Sequence, residues 1–274
     1  MPLMPAFEIA TVGDNCIDRY RPPIGLSTVG GNAVNVAVHL KRLGRSVAYF
    51  GRVGSDADGR RILASLTENG VATEHVRAVA GQTAYTDIGG GPGGERIMLF
   101  EEFGVCRGYR PADEDIAKLR SMRHVHIGWL DDNGALKRLL AAAGISLSQD
   151  LSVNADAKDI AAEGLAIAFA ASASRDTAAL LLDRMLADGA RVAVVTCGAM
   201  GSIASDGTVR AEAGVVPTSV TDTLGAGDTF IAGFIAARLD GRDLQACLSA
   251  GASAAAKTCT HYGGFPQKPE PLRD

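Results

Sequence analysis

Hydrophobic positions along the chain change period repeatedly, and the changes outline an alternation of strands and helices. Phe7 to Val12 is a short, largely apolar run that stops at Gly13-Asp14, the pattern of a buried strand. Val34, Val36, Ala37, Val38 and Leu40 then recur at helical spacing and predict a helix from about Ala33 to Leu43, stopped by Gly44. Ser46 to Val53 reads as a second strand, and Asp58 to Asn69 as a helix closed by Gly70. The rhythm returns at Val125 to Gly128, Ile145 to Leu147 and Leu165 to Phe169, then a helix from Thr177 to Asp188 and a strand from Val192 to Thr196. Such alternation predicts an α/β fold, a mostly parallel sheet flanked by helices that takes its ligands outside the carboxyl ends of the strands.

One segment departs from that rhythm. Thr83 to Ile88 and Glu95 to Phe100 are β-prone runs on either side of the turn-forming stretch Gly89 to Gly94, which predicts a hairpin. With Asp18 to Val29 it is expected to form a small sheet over a cleft; the alternative is a surface hairpin without function. Ile88, Ile97, Leu99 and Phe100 either build an apolar face through which two copies of the chain pair, or pack inward on the core. Phe265 to Asp274 holds three prolines and four charged residues and is expected to be a poorly packed tail.

The 274 residues, 47% hydrophobic and 21% charged, suffice for one large domain with a small appendage, here a lid of about residues 18–29 and 83–104. A net charge of −4 without a basic tract argues against nucleic acid as a partner. Met1 to Ala10 lacks a basic start, and no stretch approaches the ~18 apolar residues of a membrane span, so a cytoplasmic protein without a membrane partner is expected. Five scattered cysteines, never spaced Cys-x-x-Cys, read as free thiols rather than a disulfide or zinc framework.

Chemistry concentrates at three places. In Asp222-Thr223-Leu224-Gly225-Ala226-Gly227-Asp228-Thr229-Phe230, small residues precede a helical repeat of Phe230, Ile231, Phe234, Ile235 and Leu239. Backbone amides at such a helix start, with roughly half a positive charge from the dipole, welcome an anion. Asp228 repels one; it fits if it takes a proton from an attacking hydroxyl, and equally fits as a plain helix cap. In Gly13-Asp14-Asn15-Cys16-Ile17-Asp18 and Gly30-Gly31-Asn32-Ala33-Val34-Asn35, the side chains of Asp14, Asp18, Asn32 and Asn35 offer carboxylates and amides suited to polyol hydroxyls. A turn plus an Asn32 cap accounts for only part of that cluster. Thr196-Cys197-Gly198-Ala199-Met200-Gly201-Ser202, at a strand end, suits nucleotide phosphates or is a simple tight turn. No Gly-Lys pair, His-Glu-x-x-His or Gly-x-Ser-x-Gly occurs, which removes the Walker loop, the zinc protease and the α/β-hydrolase. His124 and His126 alternate on a predicted strand without acidic or thiol partners and read as structural.

Asp222 to Phe230 resembles the C-terminal signature of the ribokinase-like, or PfkB, carbohydrate kinases, and Gly30 to Ala37 resembles their N-terminal glycine motif. The resemblance spans nearly the whole chain. It implies an ATP-dependent phosphotransferase with a Rossmann-like core and a small β lid. Asp228 is then the base toward a sugar hydroxyl, the amides of Gly225, Ala226 and Gly227 form an anion hole, and the region of Asp18, Gly30, Gly31 and Asn35 binds the sugar. Thr196, Gly198 and Gly201 match the nucleotide loop, Ala252 and Ala256 pass near adenine, and Asp222 matches a position that in some relatives helps hold a monovalent cation such as K⁺. Thr11 to Asp18, Gly30 to Val38 and Ala255 to Thr258 with His261 and Gly263 are similar to the fructoselysine 6-kinases of that family. Their substrate carries a cationic amine, for which Glu101 and Glu102 are the candidate partners. Many relatives serve magnesium through Asn-x-x-Glu; the matching stretch Ala171 to Asp176 lacks the asparagine and leaves Asp176 as the carboxylate. Other acceptors within the family, namely ribose, fructose, 2-keto-3-deoxygluconate or a nucleoside, stay open, as does a non-catalytic sugar or nucleotide sensor.

Overall fold

Among the described residues, nine strands hydrogen-bond into one sheet, in the order 210–213, 202–205, 193–196, 167–171, 146–150, 124–127, 9–12, 47–54 and 76–79, and five into a smaller one, in the order 270–271, 26–30, 16–20, 85–90 and 96–102. The computed structural model describes residues 7–90 and 96–272. The large sheet holds β1 (Ile9–Val12), β4 (Val47–Gly54), β5 (Val76–Val79), β8 (His124–Ile127) and β9 (Ser146–Asp150). It continues with β10 (Ile167–Ala171), β11 (Ala193–Thr196), β12 (Ser202–Ser205) and β13 (Arg210–Ala213). The small sheet holds β2 (Cys16–Tyr20), β3 (Leu26–Gly30), β6 (Tyr85–Gly90), β7 (Arg96–Glu102) and β14 (Glu270–Pro271). The helices are α1 (Asn32–Arg42), α2 (Ala57–Glu68), α3 (Asp113–Leu119), α4 (Ala135–Ala142), α5 (Arg175–Ala187), α6 (Ala226–Leu239) and α7 (Leu244–Thr258).

From β5 through β11 the pairs are parallel, and only the β11–β12–β13 edge runs antiparallel. The α/β alternation expected from the apolar periods is therefore present, with most element ends within a residue or two of the pattern. Side chains alternate across each strand, so the sheet feeds two cores. In β11, Val194 packs with α6 and α7, while Ala193 and Val195 pack on the side of α4 and α5. Helix α6 is apolar nearly all round because it is enclosed by α1, α7 and the sheet.

The hairpin expectation also holds: β6 and β7 are antiparallel, and β2 joins β6 in parallel with Ile17 opposite Tyr85. Residues 91–94 of its turn, and Glu95, lie outside the described residues. Ile88 packs inward at 1% exposure, whereas Ile97, Leu99 and Phe100 on the edge strand are exposed. The five cysteines are free thiols, and no helix among the described residues is long and apolar enough to cross a membrane. His124 and His126 are buried and bonded to Ser146 and Ser148, so their polarity is spent inside the sheet.

The expected C-terminal tail is overturned. Phe265 is fully buried in the core beneath α1 and α6, and Gln267 clamps both backbone groups of Val29 at 2.7 and 2.8 Å. The Gly264 carbonyl meets His39 Nε2 at 2.7 Å, and Glu270 pairs with Ser27 to make β14. Proline and charge marked this segment as loose, but its alternate residues are the anchors. Truncating Phe265 to Ala should cost about 3–5 kcal/mol, as for a large core aromatic; urea unfolding measures this, and a loss below ~1 kcal/mol would restore the loose-tail reading.

Candidate active site

Two helix N-termini, those of α1 and α6, meet at the carboxyl ends of the central strands. Gly225 caps α6 in the left-handed region at φ 74°, and a Cβ there would stand 2.3 Å from Gly264 Cα. Asp228 is thus the third residue of α6 and not its cap. Its Oδ1 accepts from Asn32 Nδ2 at 2.7 Å and its Oδ2 from Asn35 Nδ2 at 2.6 Å. Asn32 and Asn35 are one turn apart on α1, which puts both amides on one face. The cap at α1 is Gly31, so Asn32 is not spent on its own helix. Asn32 Nδ2 also reaches Asp150 Oδ2 at 3.0 Å, and its Oδ1 faces His126 Nε2 at 3.3 Å. Asn35 lines a cavity beside Asp228, and its Oδ1 is buried against Gly264 without a hydrogen-bond partner.

That cavity, of about 270 Å³, runs from the α6 N-terminus to the small sheet. Asp14, Asp18, Glu101, Glu102 and Asp228 line it, together with Gly31, Asn32, Asn35 and Gly225. Phe103 and Trp129 stack at 3.9 Å between ring centroids and give it an apolar wall. Burial pushes Asp228 up to about 7, with Asp150 and Asp14 adding repulsion against the two Asn bonds that favour the charge. Asp18 is likewise raised by burial to about 7, with Asp222, Asp14 and Glu101 adding to it. Burial also raises Glu101, Asp14 and Asp150. Gly30 lets Asp18 lie flat against β3, since a Cβ there would sit 2.0 Å from Asp18 Oδ2.

Several predicted residues sit elsewhere or do something different. Asp14 borders the cavity, but its oxygens accept from the amides of Asn32 (2.7 Å), Ala33 (3.2 Å) and Trp129 (3.0 Å), so it completes the α1 N-terminus. Glu102 accepts from the Gly104 amide at 3.0 Å. Ala226 and Gly227 form the first turn of α6, where the Ala226 amide returns to the Thr223 carbonyl at 3.2 Å. Thr196 ends β11 and Gly198 and Gly201 follow it, and Ala252 and Ala256 lie half-buried on α7; none of the five lines the cavity. Asp176 is exposed in the first turn of α5, and among the described residues no group of three or more His, Cys, Asp or Glu is arranged to hold a metal. Asp222 is buried against Arg96 and Tyr20. Asp150, Phe103 and Trp129 escaped the sequence reading. Asp150 had one available signal, an acid at the carboxyl end of a parallel strand; the aromatic pair, far apart in sequence, had none.

The model of the "pfkB family carbohydrate kinase" group matches residues 25–143 and 160–271. A fructoselysine 6-kinase of Escherichia coli (strain K12) is 34% identical over 263 residues, covering 94% of this chain and 99% of the relative. The fructosamine kinase FrlD of Bacillus subtilis (strain 168) is 29% identical over 267 residues, covering 94% and 93%. The solved structure of Arabidopsis thaliana ribokinase complexed with ribose and ATP superimposes with a TM-score of 0.82 at 22% identity, covering 94% of each chain, which makes the fold ribokinase-like. With the family model spanning both glycine motifs and the helices that bring them together, this chain belongs to the pfkB family of carbohydrate kinases and is a phosphotransferase acting on a sugar hydroxyl.

Proposed function

We propose that the protein transfers the γ-phosphate of ATP, as its magnesium complex, to the 6-hydroxyl of a fructosamine. The observation that carries the acceptor is the charge of the cavity: five carboxylates line it and no described lysine, arginine or histidine does. Amides already serve Asp14, Glu102 and Asp228, which leaves Asp18 and Glu101 as the acids that a protonated amine offsets and a neutral sugar does not. The activities for which the Escherichia coli and Bacillus subtilis relatives are named agree with this reading.

In the reaction, Asp228 accepts the proton of the attacking hydroxyl. A carboxylate tuned to about 7 is divided between its two forms near neutrality, the useful range for a general base. The Asn32 and Asn35 amides fix its two oxygens. Asp18 and Glu101 face the acceptor's remaining polar groups and amine, and the Phe103–Trp129 wall excludes water. Amides of Gly225, Ala226 and Gly227 receive the charge that develops on the transferred phosphoryl group, after Ala226 gives up its turn bond. The Thr196 to Gly201 loop and the α7 face at Ala252 and Ala256 hold the nucleotide. Magnesium supplies neutralisation of the phosphates when bound. One exposed carboxylate, Asp176, fits contact through water and not a protein cage. A cytoplasmic site of action belongs to the same reading, as do homodimers through β7, an edge strand exposing Ile97, Met98, Leu99 and Phe100.

Asp228→Asn should lower kcat on the order of 10²–10⁴-fold with ATP binding retained. The wild-type kcat/KM should climb about tenfold per pH unit below neutrality and level above about 7, the limb of a base that must be ionised. Near wild-type turnover in the variant removes the assignment of the base. Coupled ADP detection across fructoselysine, fructose, ribose, 2-keto-3-deoxygluconate and nucleosides should find the highest kcat/KM for fructoselysine; a preference for free fructose rules out amine recognition. Sedimentation velocity should give a dimer for the wild type and a monomer for the double variant Ile97→Asp, Leu99→Asp, and a monomeric wild type ends the dimer reading.

A further inference from the structure

The monovalent cation that resemblance attaches to Asp222 does not fit the carboxylate as this chain holds it. Asp222 Oδ1 accepts from Arg96 Nε at 2.7 Å and from the Leu224 amide at 3.2 Å. Its Oδ2 accepts from the Tyr20 hydroxyl and from the Gly263 amide at 3.0 Å. A carboxylate offers about four lone-pair sites, and four donors fill them. A metal cation needs oxygen acceptors around it, yet every group on Asp222 is a donor. The neighbouring Thr221 carbonyl is engaged too, by Arg96 Nη2 at 3.1 Å. The guanidinium lies 5.7 Å from the ring centroids of both Tyr20 and Tyr262, and its side chain is only 11% exposed.

Arg96 belongs to the small sheet, at the start of β7, whereas Asp222 opens the loop that ends at Gly225 and the α6 N-terminus. We propose that Arg96 takes the place of the monovalent cation: it is a positioning residue whose guanidinium sets the Asp222–Gly225 loop and makes the enzyme indifferent to K⁺. The proposal rests on the kinase reading for its rate measurements alone. A planar fork held by Asp222 and the Thr221 carbonyl fixes direction as well as charge, which a spherical ion does not. Because the fork comes from the small sheet, the loop is set only when that sheet lies against the core. The sugar end and the phosphate end are then ordered by one ion pair.

The test exchanges K⁺ for tetramethylammonium at constant ionic strength and follows both ADP formation with fructoselysine and the thermal midpoint of the ligand-free protein. Wild-type kcat and midpoint should be the same in both salts within about twofold and about 1 °C, since a full donor set leaves nothing for the ion to bind. Arg96→Ala should lose on the order of 10²-fold in kcat, as a misplaced loop implies, with a smaller change in the KM for ATP. Added guanidinium or K⁺ should restore part of that rate and raise the variant's midpoint, and Arg96→Lys should fall between. A wild type whose rate or midpoint rises with K⁺, or an Arg96→Ala protein with undiminished kcat, overturns the proposal. So does a variant that neither cation restores while circular dichroism reports a native fold. Should no acceptor be phosphorylated by any form, the kinase reading fails on its own, and the salt dependence of the two midpoints still decides whether Arg96 holds the cation's place.

Discussion

Everything at the cleft depends on a carboxylate being held by two amides from another helix. Asp228 on α6 and the Asn32–Asn35 face of α1 are bonded at 2.6 and 2.7 Å, and this fixes how the two N-termini approach each other. Both ends aim positive dipoles into the same cavity, which Asp14, Asp18, Glu101, Glu102 and Asp228 also line. The dipoles and amides make that density of acids tolerable, while burial still keeps Asp228 and Asp18 near neutrality. Catalytic poise and electrostatic strain are in this sense one arrangement.

Close backbone approach is the second requirement. Gly264 passes under Gly225 and against Asn35, where a Cβ would come within 2.4 Å of the amide oxygen, so α6, α1 and the C-terminal segment share a space that side chains would fill. Helices α6 and α7 are held equally close, for Gly233 meets the backbone of Ala250 and Gly251. Interiors packed this tightly transmit small displacements. The position of Asp228 is therefore tied to segments well outside the cavity.

Much of this was legible in the chain itself. Periodicity located the helices that matter because α1 and α6 are long and apolar on the faces they bury, and glycine motifs at strand ends marked both N-termini. What escaped was of two kinds. Contacts between residues distant in sequence, such as Arg96 with Asp222 or Phe103 with Trp129, leave no local trace because neither partner has a period. Local composition misled at Phe265 to Leu272, where the prolines and charges that suggest a loose end punctuate a strap anchored by Phe265, Gln267 and Glu270. Asp14 was legible only in part: it lines the cavity, and only geometry reveals that three backbone amides also occupy its oxygens.

That strap has a consequence for how the site comes into being. Residues 263–271 supply the glycine packed on Asn35, the amide on Asp222, the clamp on Val29 and the edge pairing of β3. All of these follow α7 in the chain, so during vectorial synthesis the cleft is closed by a segment that emerges only after the strands and helices of both cores. The protein thus separates in time the building of its scaffold from the completion of its site. A nascent chain can carry every residue that faces the sugar and still have no finished place to hold one.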